Sequence, residues 1–152
     1  MAPVKNASAV FNEVPIGFPA VGKTIITKTE TIDLDTVPLN GGTLVKTLYL
    51  SLDPYLRGFM RPAVTPSWAP FYEIGKSIWG WALVSVIRSE KDGVNSGDVY
   101  LVSNCPTMNT DELRTAFQQY AVLPADHLLR VIPKDTGIPL TAYLSVLGMP
   151  GP

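Results

Sequence analysis

Asp53-Pro54-Tyr55-Leu56-Arg57-Gly58 sets a carboxylate, a phenol and a guanidinium close together at the end of an alternating run, Thr43 to Leu52. Leu44, Leu48, Leu50 and Leu52 share one parity and are expected on a core face, with Thr43, Val45, Thr47, Tyr49 and Ser51 opposite. Asp53 has the residue type of a helix N-cap and Pro54 that of a first helical position. A short helical turn is therefore expected to hold Tyr55 at a strand end. Two readings of this turn stand on the residues alone. In one, Asp53 caps, Arg57 pairs with it from four residues on, and Tyr55 packs; in the other, Tyr55 belongs to a site. The remaining reactive types are sparse: Cys105 is the only cysteine and His127 the only histidine. An intrachain disulfide and the Cys/His-rich zinc sites are excluded on that count. A Cys105–His127 nucleophile pair would lie outside any recognisable catalytic motif, so a loop or buried thiol and a surface histidine are expected instead.

The elements that must position the turn can be read in order. A leader strand is expected around Ala9 to Phe11, followed by the breakers Pro15-Ile16-Gly17-Phe18-Pro19. Thr24 to Ile32 is rich in β-branched residues and reads as a strand, and Pro38-Leu39-Asn40-Gly41-Gly42 supplies the turn before Thr43. Pro62, Pro66 and Pro70 make Arg61 to Phe71 an irregular loop. Ile78 to Ile87 reads as a strand covered on both faces, and Ser96 to Val102 as a turn and strand. Leu113, Ala116, Phe117 and Tyr120 fall at helical spacing, yet a strand is expected from about Ala116. A further short strand spans His127 to Ile132. Leu140, Leu144 and Leu147, with Tyr143, give an apolar helix face between Ile138 and Gly148.

The 152 residues, 46% hydrophobic and 16% charged, suffice for one ordinary domain with a real core. With 12 Lys and Arg against 13 Asp and Glu, and no run of either sign, nucleic-acid binding is not expected. The amino terminus lacks an apolar segment of signal-peptide length, and no later apolar run reaches bilayer length, so a cytoplasmic protein without membrane partners is expected. Asn6-Ala7-Ser8 fits the glycosylation pattern by chance.

Leu48-Tyr49-Leu50-Ser51-Leu52-Asp53-Pro54-Tyr55-Leu56-Arg57-Gly58-Phe59-Met60 resembles the DPYxRG motif of the zinc-independent medium-chain dehydrogenase/reductases. Ile138 to Gly151 resembles that family's IPL…LGMPG segment. The nearest resemblance is to NADPH-dependent alkenal, enone and prostaglandin double-bond reductases, over most of the chain from about Gly22. It implies a mainly β, GroES-like, curved antiparallel barrel with short helices over residues 1–133. Residues 134–152 would be a helix and the start of a link to a nucleotide-binding Rossmann domain that this chain lacks; no GxGxxG occurs here. The resemblance further implies that NADP(H) is bound mainly by that absent domain, with Pro54 and Tyr55 facing the nicotinamide and substrate. Tyr55 would donate to the substrate carbonyl, Trp68, Phe71 and Tyr72 would line the substrate cleft, and Asp53 and Arg57 would fix the turn. No metal is implied, since a zinc alcohol dehydrogenase draws more soft or imidazole ligands from this region than Cys105 and His127 supply. A small unsaturated carbonyl is the expected partner, and a homodimer the expected full-length state. A quinone or carbonyl reductase of the same superfamily and a truncated, non-catalytic interaction module are the alternatives.

Overall fold

Backbone hydrogen bonding on both edges of the first strand organises the molecule. In the computed structural model, which describes residues 3–67, 69–103, 117–124 and 127–148, β1 (Val4–Phe11) pairs antiparallel with β2 (Ile25–Ile32) along its full length. Its other edge is taken in two steps. Ala9 N–H donates to Phe117 O at 2.9 Å and Gln119 N–H to Ala7 O at 3.0 Å; further along, Ile78 N–H donates to Ala9 O and Phe11 N–H to Lys76 O, each at 2.9 Å. The leader strand is thus longer than the expected Ala9 to Phe11, and it is a central strand in its hydrogen bonding.

Asn6 adds to this seam. Its Nδ2 donates to Tyr120 O at 3.0 Å while its Oδ1 accepts from Tyr120 N–H at 2.9 Å, so the side-chain amide stands in for one more peptide of the strand. Asn6 is buried, which accounts for the glycosylation pattern as coincidence.

Beyond the seam lies a five-stranded antiparallel sheet in the order β6-β3-β4-β5-β7. Its strands are β3 (Thr43–Leu50), β4 (Trp81–Ser89), β5 (Val99–Ser103), β6 (Tyr120–Leu123) and β7 (Leu128–Val131). All pairs between named strands are antiparallel, and the helices fully within the described residues are α1 (Leu56–Phe59) and a five-residue 3-10 helix, Leu140–Leu144. This is the mainly β architecture expected. Among the described residues no helix is long and apolar enough to cross a membrane.

Several boundaries differ from expectation, each for a visible reason. β4 begins at Trp81 rather than Ile78, because Ser77 and Ile78 bond to β1 instead. Both faces of β4 are covered as expected: Ala82, Val84 and Val86 enter a core with Val45, Val102, Ala121, Leu123 and Leu128, while Leu83 packs with Ile132 and Tyr143 on the other side. The strand expected from Ala116 begins at Tyr120; Ala116 and Leu113 lie outside the described residues. The helix expected over Ile138 to Gly148 is only the short 3-10 helix. Tyr143 is buried and Leu140 and Leu144 pack beside it, but Leu147 is exposed.

The largest correction concerns β3. Leu44 is fully buried, yet Leu48, Leu50 and Leu52 are exposed, Leu52 at 82%. Register shifts between Leu44 and Val45 and between Thr47 and Tyr49 break the alternation, and β6 covers β3 only as far as Lys46. His127 also departs from its expected surface position and is buried. Cys105 lies outside the described residues.

The Asn40-Gly41-Gly42 turn that starts β3 needs its glycines for different reasons. Gly41 has φ +78°, whereas a Cβ on Gly42 would lie 2.6 Å from Leu123 O and 2.9 Å from Leu39 O. Gly42→Ala is expected to cost about 1–3 kcal/mol by overpacking against backbone that cannot rotate away. A urea melt showing unchanged stability would contradict this close approach.

Candidate functional site

The turn after β3 is shaped by backbone bonds rather than by side-chain capping. Ser51 N–H donates to Trp81 O at 2.9 Å and anchors the strand end to the start of β4. Leu56 N–H to Asp53 O, Arg57 N–H to Pro54 O and Gly58 N–H to Tyr55 O then wind the chain into α1. Tyr55, at φ −66° and ψ −22°, is the N-cap residue and no side chain caps it. The helical turn is the expected one. Its Asp53 cap is not: Asp53 Oδ1 instead accepts from Ser51 Oγ at 3.0 Å, and its buried Oδ2 meets no donor.

Arg57 also behaves differently from expectation. Its Nη2 donates to Gly17 O at 2.7 Å and Pro15 O at 3.4 Å, tying the breaker segment to the helix, and it forms no pair with Asp53. The carbonyls of this proline- and glycine-bearing loop serve as acceptors for the guanidinium fork.

Under the turn lies an aromatic bed. Tyr55 stacks edge-on to Phe59 with centroids 5.4 Å apart, and Phe59 meets Trp79 at 4.6 Å and Tyr72 at 5.7 Å. Phe11, Leu56, Met60, Ile78 and Phe117 complete this cluster. Such ring pairs add about 0.5–1.5 kcal/mol each beyond area burial, so the Tyr55 backbone rests on a stiff support. Phe59 was absent from the sequence-based set of site residues, although its spacing four residues from Tyr55 is the signal that puts two rings on one helical face.

The expected site residues separate accordingly. Tyr55 is half-buried and Pro54 exposed. Phe71 is half-buried, and Trp68 lies outside the described residues. Tyr72 is a correction: at 2% exposure, with its hydroxyl donating to Trp79 O at 2.7 Å, it is a core residue and no wall of a cleft. Among the described residues no group of three or more His, Cys, Asp or Glu could hold a metal ion.

Burial first, and then the Asp53 carboxylate, push the Tyr55 phenol well above the ordinary tyrosine range. Tyr72 is raised as well, by burial and then by the nearby Tyr55 and Asp53. Both phenols are neutral at physiological pH, as ordinary tyrosines are, and the shift bears on alkaline conditions only.

Over residues 9–130 the chain matches the family described as the N-terminal domain of oxidoreductase. The chain belongs to that family. An NADP-dependent oxidoreductase of Cochliobolus heterostrophus is 34% identical over 97% of this chain and 39% of its own length. A 2-alkenal reductase (NADP(+)-dependent) of Nicotiana tabacum is 29% identical over 97% of this chain and 39% of its own length. Among solved structures, CurA from Vibrio vulnificus superposes with a TM-score of 0.69 at 25% identity, over 95% of this chain and 37% of that one. The chain thus spans about two fifths of the length of these relatives.

The raised phenols have a consequence for pH. The folded state holds these protons more tightly than the unfolded chain, so the stability they contribute is full below about pH 10, the ordinary tyrosine value, and is lost as pH rises above it. Tyr72→Phe should flatten this alkaline loss. Phenolate absorbance during a titration should show Tyr55 ionising later than free tyrosine, and ionisation at or below the ordinary value would contradict the burial and Asp53 account.

Proposed function

We propose that this chain is the substrate-side domain of an NADPH-dependent oxidoreductase that reduces the C=C bond of α,β-unsaturated carbonyls by hydride transfer without zinc. The observation that carries the reading is the half-buried Tyr55 phenol at the start of α1, set edge-on against Phe59 of the aromatic cluster. The relatives' names, NADP-dependent oxidoreductase and 2-alkenal reductase, support the choice of cofactor and substrate class.

The chemistry follows from where charge appears. Hydride addition at the β-carbon gives an enolate with negative charge on the carbonyl oxygen, to which a neutral phenol can donate a hydrogen bond, and a proton from solvent at the α-carbon then completes the reduction. One well-placed donor of this kind contributes about 3 kcal/mol to the transition state. The phenol is neutral at physiological pH, as a tyrosine ordinarily is, and its ring lies edge-on against Phe59. Pro54, exposed beside it, would face the nicotinamide. When bound, NADPH supplies the hydride.

The fit of the dinucleotide to these residues is limited to its nicotinamide. A pyrophosphate site needs a strand, a glycine loop and the amino end of a following helix, whereas the described helices have four and five residues and the strands are antiparallel. The proposal therefore assigns the phosphates to residues outside this chain. The 152-residue chain alone is expected to bind NADPH more weakly than micromolar and to show no reductase activity, as calorimetry and an NADPH-oxidation assay would measure; tight binding would remove this division of labour.

In the full-length gene product, Tyr55→Phe should lower kcat/KM for an enone about tenfold to a hundredfold, equivalent to about 1.4 to 2.8 kcal/mol, with the melting temperature nearly unchanged. If Tyr55→Phe works at the wild-type rate, Tyr55 serves only as an apolar wall. NADPH oxidation with quinones and none with enones would favour the quinone reductase alternative.

A further inference from the structure

β2 is an edge strand. It pairs with β1 over all eight of its residues without a register shift, and among the described residues no strand lies along its other side. In an antiparallel pair every second residue of a strand bonds to one neighbour, and the residues between turn their peptide groups to the other side. On β1 the residues turned away from β2 are Ala7, Ala9 and Phe11, whose amides and carbonyls meet Gln119, Phe117, Ile78, Lys76 and Gly75. Asn12 N–H, donating to Thr24 O at 2.9 Å, fixes the same phase. Their β2 partners Thr29, Thr27 and Ile25 therefore turn outward in the same way. Ile25 is met by Val21 in an isolated bridge, so the open stretch begins at Thr27. Thr27, Lys28, Thr29, Glu30 and Thr31 are all exposed.

An open strand of this kind is a template for another strand, and proteins ordinarily blunt it with proline, a bulge or uncompensated charge. β2 has no proline and no bulge, and its two charges compensate one another, with Lys28 Nζ 2.8 Å from Glu30 Oε1. The charge pattern also tells which strand fits. Turned about a two-fold axis through Thr29, a second β2 sets Thr29 against its own copy and Thr27 against the partner's Thr31. These outward-turned residues can exchange N–H···O bonds. The same register puts Lys28 opposite the partner's Glu30, in the non-hydrogen-bonded pairs where side chains approach most closely. Lys28, Glu30 and their copies then form a rectangle with opposite charges along every edge. Sliding by two residues either way, the step that keeps the hydrogen bonding, sets Lys28 against Lys28 or Glu30 against Glu30.

We propose that the outer edge of β2 is a self-association surface, on which a second copy of this chain adds its own β2 antiparallel in the register centred on Thr29. The two ribbons become one four-stranded sheet in the order β1-β2-β2-β1. Backbone bonds hold it, and the Lys28–Glu30 pattern selects the partner and the register. The proposal is independent of the reductase reading, since it draws on no residue of the α1 turn.

Sedimentation equilibrium of the 152-residue chain on the order of 100 µM should give the mass of a dimer, and dilution should dissociate it. Lys28→Glu and Glu30→Lys should each raise the dissociation constant about tenfold or more, because each sets like charges opposite one another twice in the symmetric interface. Mixing these two variants should restore the dimer, as should joining both substitutions in one chain, since either arrangement again sets opposite charges across the axis. Both positions are exposed, so the circular dichroism of each variant should match the wild type. Thr29→Pro, which removes the central N–H donor, should leave the chain monomeric; the charge variants decide the matter if it folds poorly. Hydrogen exchange at the amides of 27, 29 and 31 should slow as concentration rises. A wild-type chain that stays monomeric throughout this range would overturn the proposal. So would a dimer that survives both single charge reversals, since another surface would then hold it, and so would mixed variants that fail to associate.

Discussion

The hydrogen bonds along β1 are the constraint on which the rest depends. A strand bonded on one edge only would leave a two-stranded ribbon, which is marginal in water by itself. Because β1 bonds to 117–119 and then to 76–78, the ribbon and the five-stranded sheet become one curved surface. That curvature encloses the aromatic bed: Phe11 from β1, Phe117 from the approach to β6 and Ile78 from the approach to β4 all face it. Tyr55 stands on this bed. The position of the candidate donor is therefore a consequence of barrel closure some fifty residues earlier in the chain.

The distribution of charge follows the same logic. Asp53 is placed by Ser51, which is itself placed by Trp81 O, so the carboxylate arrives beside Tyr55 through backbone geometry and one hydroxyl. Its second oxygen is buried without a donor. A buried carboxylate oxygen left in this state is costly, and its charge, second to burial, raises the neighbouring Tyr55 phenol above the ordinary tyrosine range.

Much of this was legible in the sequence, and the failures have physical causes. The strands at Thr24 to Ile32, Thr43 to Leu50 and His127 to Ile132, and the irregular 61–71 loop, carry signals that act locally: β-branching, alternation and proline. The turn at Asp53 to Arg57 was legible as a turn but not in its partners, because whether Asp53 caps or bonds Ser51, and whether Arg57 turns to Asp53 or to Gly17, depends on groups up to forty residues away. The exposure of Leu48 and Leu50 was hidden by bulges, which shift parity without changing composition. Asn6 and Arg61 were missed altogether. Each acts through backbone carbonyls or amides at a distance that no spacing rule encodes, and a buried asparagine reads in sequence like any surface one. Tyr72 misled in the opposite sense, since an aromatic after a proline-rich loop suits a cleft wall and a core equally well.

The two arginines that flank α1 share a feature with wider reach. Arg57 and Arg61 both end on main-chain oxygens, at Pro15, Gly17, Gly58, Ala69 and Pro70, and not on carboxylates. Peptide carbonyls carry no proton to gain in acid, and a hydrogen bond at contact distance is little affected by a screening cloud several ångströms thick. Loops fastened in this way are indifferent to ionic strength and to acidification in a way that loops fastened by ion pairs are not. The two arginine fastenings around α1 would hold across changes in salt and pH, leaving the ionisable side chains of the turn to respond.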